Sequence, residues 1–320
     1  MNVAEFQISD AELDKVLTEI DEYLRKLSPN PAGREIHGWM LFCQRFNLIN
    51  VPMNHPAFDP VFEWFRKQYG ERLNLNLDFG STVVQIRHDL YLLPIHRLYG
   101  TIIQHCDPMF FRRDLGPKLG KNGPVKTNLL ESLSGVTPDF VKTLVAQDCE
   151  RMLQVYERAF LGLSRVEDAC AAPLVKEAKD DLYTSAQQLA GQNPNYGFSR
   201  FSSLLAVEKL LKSFLKSKGD SKWGHSLNEL ATKAHSLGLP PIRASLLSDV
   251  QCSASVRYES SSVNKDEALK AHYAALSLSS DIAPHLTCQS GWFSEVHSTP
   301  YLVNGTPRPM RALVVTRGKR

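Results

Sequence analysis

With 320 residues, of which 43% are hydrophobic and 22% charged, the chain has the length for two domains of ordinary size and the composition of a globular protein. Its net charge of +3 is unevenly placed: residues 1–160 hold 18 basic and 20 acidic side chains, residues 161–300 hold 14 of each, and residues 301–320 hold five basic groups (Arg308, Arg311, Arg317, Lys319, Arg320) and no acid. The charge sum alone therefore does not indicate a general polyanion-binding surface, and the lack of an apolar run of roughly 18 residues excludes a helical membrane span.

In chain order, the opening MNVAEFQISDAELD has no basic stretch followed by an apolar one, so no secretory signal is expected. Ser9 and Glu12 form a capping-box pattern, and Leu13, Val16, Leu17, Ile20, Leu24 and Leu27 follow at helical spacing. Ser28-Pro29-Asn30-Pro31 stops that helix. Further helices are expected over Gly33–Phe46 and Pro60–Tyr69. The period then changes to that of strands. Ser81–Ile86 and Leu90–Ile95 flank Arg87-His88-Asp89 and predict a β-hairpin, with Leu98–Ile103 as a third strand. Gly116, Gly120, Gly123 and Pro124 mark a loop. Helical patterns return at Leu129–Leu133, at Pro138–Val145 behind a Thr137 cap, and at Gln147–Leu161.

A boundary falls around Gly162–Pro173, and the chain then reads as five helices. The first, Val175–Leu189, ends at Gly191 and Asn193-Pro194. Ser199 is the expected cap of the second. On it Phe201, Leu204, Leu205, Leu211, Phe214 and Leu215 form a broad apolar stripe that contains Glu208. A carboxylate there costs several kcal/mol of desolvation unless it is paired, so a cation or donor such as His225 or Arg257 is expected beside it. Ser226 and Glu229 cap a third helix that ends at Gly238. Pro240-Pro241 opens a fourth towards Val256, and Asn264 with Glu267 caps a fifth. Short connections between such helices describe a bundle. Beyond it, Tyr301–Val303 and Ala312–Val315 read either as short strands joined by Asn304-Gly305 or as a segment that orders on a partner.

The stretch FSSLLAVEKLLKSFLKSKG, then GHSLNELATKA, then VRYESSSVNKDEALKAHYAAL resembles the HEPN family, the higher-eukaryote and prokaryote nucleotide-binding helical domain. The resemblance covers roughly residues 175–283. It is carried by Glu208-Lys209 with Lys212, by Gly224-His225 with Leu227, and by Arg257-Tyr258. It implies a helical bundle, a homodimer, and either a metal-independent ribonuclease or a non-catalytic binding partner, in many cases within toxin–antitoxin or anti-phage systems. The ribonuclease members carry Arg followed by His after four to six residues. Arg257 has no such histidine, since Tyr-Glu-Ser-Ser-Ser-Val follows it and the next is His272.

Other candidates are weighed on their chemistry. Gly80-Ser81 with Asp89 lacks the second carboxylate that a metal-dependent nucleotidyl transfer needs. His285, Cys288 and His297 fall one ligand short of a closed zinc site. His105 and Cys106 are neighbours in a strand and should face opposite ways. Phe110-Phe111-Arg112-Arg113, near Lys118 and Lys121, is a basic-aromatic cluster suited to phosphate and base contacts. Six cysteines (43, 106, 149, 170, 252 and 288) include no C-x-x-C pair, which points to a reduced, cytoplasmic setting with the thiols as small buried apolar groups.

The expected fold class is mainly α: an α+β N-terminal domain over residues 1–165, with helices around a small antiparallel sheet; an HEPN-like bundle over 174–284; and a short β-like basic tail over 285–320. The expected function is a non-catalytic binding or regulatory module for RNA, a nucleotide or a protein partner, without membrane contact, metal or cofactor. The ligand-binding candidates are Lys209, Lys212, Arg257, Tyr258, Arg112, Arg113, Arg317, Lys319 and Arg320. The alternatives are an RNA-cleaving effector, in which Arg257 steadies phosphate, His225 or His272 moves the proton and Glu208 orients them, or a structural subunit of a larger assembly.

Overall fold

The computed structural model describes residues 8–27, 31, 33–48, 55–73, 78–98, 100–111, 125–221, 224–258, 263–286, 292–303 and 306–319. Several expectations lie outside these residues: the stop at Ser28, Pro29 and Asn30, the glycine loop with Arg112, Arg113, Lys118 and Lys121, Cys288, the Asn304-Gly305 turn, Arg320, and the side chain of Lys319. The chain divides into two compact units, Met1–Leu77 and Asp78–Arg320.

The first unit holds α1 (Asp10–Leu27), α2 (Arg34–Arg45) and α3 (Phe58–Tyr69). The Glu12 amide donates to Ser9 Oγ, so the predicted cap forms. Leu13, Val16, Leu17, Ile20 and Leu24 of the α1 stripe share one apolar core with Phe42, Val61 and Phe65, while Leu27 at the end of the stripe is exposed. One carboxylate enters this core: Asp21 is buried, bonded to Arg34 at 3.3 Å and accepting from the Tyr69 hydroxyl. Gly38 lets α2 approach α3, because a Cβ there would overlap the Phe65 ring.

The second unit opens with the hairpin β1 (Asp78–Ile86) and β2 (Asp89–His96), antiparallel as predicted. Next come β3 (Gly100–His105), β4 (Val125–Asn128), α4 (Leu129–Ser132), α5 (Pro138–Lys142) and α6 (Ala146–Asp168). The helices α7 (Val175–Ala190), α8 (Tyr196–Ser217), α9 (Leu227–Ser236), α10 (Ala244–Val250) and α11 (Lys265–Ile282) follow, and the strands β5 (Trp292–Val303) and β6 (Thr306–Lys319) close the chain. Thr137, Ser226 and Asn264 cap α5, α9 and α11 as expected.

Four details differ from the sequence reading. The strand after the hairpin does not extend it; β3 joins a second sheet of order β4-β3-β6-β5, parallel to β4 and antiparallel to β6. The tail strands are far longer than expected; they pair with each other, and β6 pairs with β3. α8 starts four residues early: Asn195 caps it through the Phe198 amide, while Ser199 lies inside it and donates to the Ser185 carbonyl. The fourth helix of the bundle is a short α10 followed by a 3-10 turn at Ala254–Arg257, because Pro240-Pro241 and the extended residues after them delay its start.

A single apolar cluster joins the hairpin, α6, α7, α8, α11 and the inner face of β6. α6 and α11 touch backbone to backbone, since a Cβ at Gly162 would fall 2.5 Å from the Leu276 carbonyl oxygen. Among the described residues no helix is long and apolar enough to cross a membrane.

Candidate functional site

Helix α8 is apolar or small on almost every side, and its buried positions include Ser199, Ser202, Ser203 and Ser213 as well as Leu204, Leu210 and Phe214. A helix of that kind is covered nearly all round. One narrow stripe stays open: Phe198 and Lys216 are exposed, and Leu205, Lys209 and Lys212 are half-buried. Their spacing of seven, four, three and four residues runs along one helical face.

Glu208 sits at the edge of this stripe and is itself buried. Its Oε1 meets Lys212 Nζ at 2.6 Å and His225 Nδ1 at 3.0 Å. The expected histidine partner is therefore present, and a lysine one turn along the same helix joins it. Arg257, the other expected partner, is engaged elsewhere. His225 is 85% exposed, and among the described residues its ring bonds Glu208 alone. Next on the stripe, Lys209 pairs with Asp181 of α7 at 2.6 Å. Burial pushes the Asp181 carboxyl up, and the Lys209 ammonium acts against that.

Arg257 reaches the other end of the same face. It closes the 3-10 turn, which Ser253 caps through the Ser255 amide. Gly197 lets this turn seat on the first turn of α8, since any Cβ there would collide with the Val256 carbonyl. The Arg257 guanidinium stands 4.4 Å over the Phe201 ring and 5.0 Å from the Tyr258 ring. Its Nε donates to the Ala254 carbonyl at 3.1 Å. Among the described residues no hydrogen bond reaches its two outer amino groups, and Tyr258 is 80% exposed. Arg200, which sequence reasoning did not single out, ties the preceding segment down through the Gln251 carbonyl and reaches Glu267. Phe201 and Glu208 are seven residues apart, about 10 Å along the axis and on one face.

The other candidates lie elsewhere. His272, a proton carrier in the ribonuclease reading, is fully buried in the core. Its Nδ1 bonds Ser185 Oγ at 3.1 Å and its Nε2 bonds Thr82 Oγ1 at 3.2 Å. Ser185 in turn meets Ser203 and Ser199. Burial holds the His272 imidazole down at about 3, so it is neutral. With both ring nitrogens engaged in the core, His272 is a packing residue rather than one a strand of RNA can meet.

Arg317, proposed for the basic tail, is also buried. It forks onto Asp168 at 2.5 and 3.2 Å, donates to Ser294 Oγ and covers the Phe79 ring. Its charge is neutralised inside the unit. His105 stacks on Tyr301, while Cys106 turns the opposite way to Met152, as the alternation of a strand requires. Among the described residues no three His, Cys, Asp or Glu side chains gather as a metal site.

Residues 171–278 match the model of a known family, described as HEPN domain. Comparison of the chain with curated proteins and with solved structures finds no match. The matched span opens just before α7 and ends within α11, so it contains Glu208, Lys212, His225 and the Arg257–Tyr258 turn. It ties the chain to nucleotide- and RNA-related function in general. The helices α7 to α11 thus constitute an HEPN domain within a longer chain.

Proposed function

We propose that this HEPN domain is a non-catalytic RNA-binding module whose contact surface is the open stripe of α8 together with the Arg257–Tyr258 turn. The observation that carries this reading is the state of Arg257. Its guanidinium lies over the Phe201 and Tyr258 rings and its inner nitrogen is occupied, while among the described residues no hydrogen bond reaches either outer amino group. A planar guanidinium held this way recognises a phosphate at little entropic cost. Lys216 adds exposed positive charge at the far end of the stripe. Toxin–antitoxin or phage-defence context and a homodimeric state belong to this reading as expectations of the family. The test is fluorescence anisotropy with a labelled RNA at low and moderate salt. Binding that weakens with salt supports the reading, and lack of binding at low salt overturns it.

One observation favours a second reading, a metal-independent ribonuclease. His225 Nδ1 rests on Glu208 while most of the ring faces solvent, the arrangement in which a carboxylate orients an imidazole for proton transfer. Incubating the purified chain with total RNA and a chelator separates the two. Intact RNA fits the binding module; cleavage that disappears in His225→Ala and Arg257→Ala establishes the enzyme.

A further inference from the structure

The RNA-binding reading leaves open which form of RNA the turn accepts, and here the geometry points to single strands: we infer that Tyr258 is a stacking platform for an unpaired base whose neighbouring phosphate lies on Arg257. This inference rests on that reading. The Arg257 guanidinium already lies over both aromatic rings, 4.4 Å from the centre of Phe201 and 5.0 Å from that of Tyr258. Phe201 is buried, whereas Tyr258 keeps 80% of its surface in solvent. An aromatic ring left so open is apolar area that a ligand can cover.

The ring is also pre-positioned. The Tyr258 amide donates to the Ser255 carbonyl at 2.9 Å, Ser253 caps the turn, and Gly197 seats it on α8. A base laid on the face of Tyr258 turned away from Arg257 covers the exposed ring, and the guanidinium on the other side of that ring is the charge for its neighbouring phosphate. Stacking of this kind tolerates any base because every base has a π-face. It requires the face to be free, and in a duplex both faces of each base are covered by its neighbours. The site therefore selects unpaired nucleotides by stacking and holds them by charge.

The experiment uses the full chain and one labelled oligoribonucleotide, presented single-stranded and annealed to its complement, with anisotropy as the readout. The inference expects the single strand to bind at least about tenfold more tightly, Tyr258→Ala to lose about tenfold for the single strand only, and Tyr258→Phe to keep wild-type affinity. Circular dichroism melting of each variant shows whether the fold is kept; Tyr258 is exposed, so unchanged melting is expected. Equal affinity for both forms, or an unaltered affinity in Tyr258→Ala, overturns the inference and leaves the RNA-binding reading standing. No binding of either form by the wild-type chain removes both.

Discussion

Glu208 Oε1 and Lys212 Nζ lie 2.6 Å apart, one turn from each other on α8, with only 7% and 13% of the two side chains exposed. The pair explains how a carboxylate is tolerated on a face that otherwise packs hydrocarbon. Removing one partner leaves the other charge in a poorly solvated place. We expect Glu208→Ala to destabilise the second unit by about 2 kcal/mol, below the roughly 3–5 of a fully enclosed pair because Lys212 can partly reach water. Glu208→Leu combined with Lys212→Met should recover most of that loss. Urea denaturation of these proteins and of the single variants Glu208→Leu and Lys212→Met checks it; single effects that add up to the double effect would show that the pair is not coupled.

The His272 network sets a pH dependence. The folded chain takes up this proton only near 3, whereas an unfolded histidine takes it up near 6.5. The unfolded state therefore binds more protons between these values, and stability falls as pH is lowered through 6.5. The slope from this group approaches about 1.4 kcal/mol per pH unit. His105, held down at about 4 by burial, adds in the same direction. His272→Asn should flatten the fall in stability between about pH 6.5 and pH 5 relative to wild type. An unchanged slope would mean that the imidazole is not enclosed as described.

Ser185 is the hub of that network, meeting Ser199, Ser203 and His272. Ser185→Ala leaves buried polar atoms without one of their partners, a cost of about 1–3 kcal/mol. Thermal melting reads this directly, and an exposed serine such as Ser236 gives the comparison, with an expected change within about 0.5 kcal/mol.

Gly162 supplies a test of how closely α6 and α11 approach. Ala at this position puts a methyl 2.5 Å from the Leu276 carbonyl, so the helices must separate. A loss of about 2 kcal/mol is expected, although alanine is the better helix former. A stabilised Gly162→Ala protein would contradict the packing of these two helices.

Local signals in the sequence carried much of this fold. Ser9, Thr137, Ser226 and Asn264 cap helices because each sits just ahead of an apolar repeat, and their chemistry acts within three residues. Glu208 was legible as a paired carboxylate for the same reason, since its helical phase follows from Leu205 and Leu211. The start of α8 was not legible. Asn195 and Ser199 are both good caps, and only the contact between Ser199 and the Ser185 carbonyl of a neighbouring helix places Ser199 inside. Sheet partners were equally hidden. Ile102 pairs with Val315 across more than two hundred residues, and no local pattern encodes that distance. His272 and Arg317 read as surface candidates because histidine and arginine usually are; the serine hub and Asp168 that enclose them come from other elements. The placement of Arg257 depends on Gly197 and Phe201, some sixty residues upstream.

The most direct test of the central claim is the affinity of the full chain for a labelled single-stranded RNA, measured at several salt concentrations for wild type and Arg257→Ala. The account predicts a loss of about tenfold and a shallower salt dependence, by about one phosphate contact, with melting close to that of wild type. An Arg257→Ala protein that binds with wild-type affinity and wild-type salt slope would contradict it.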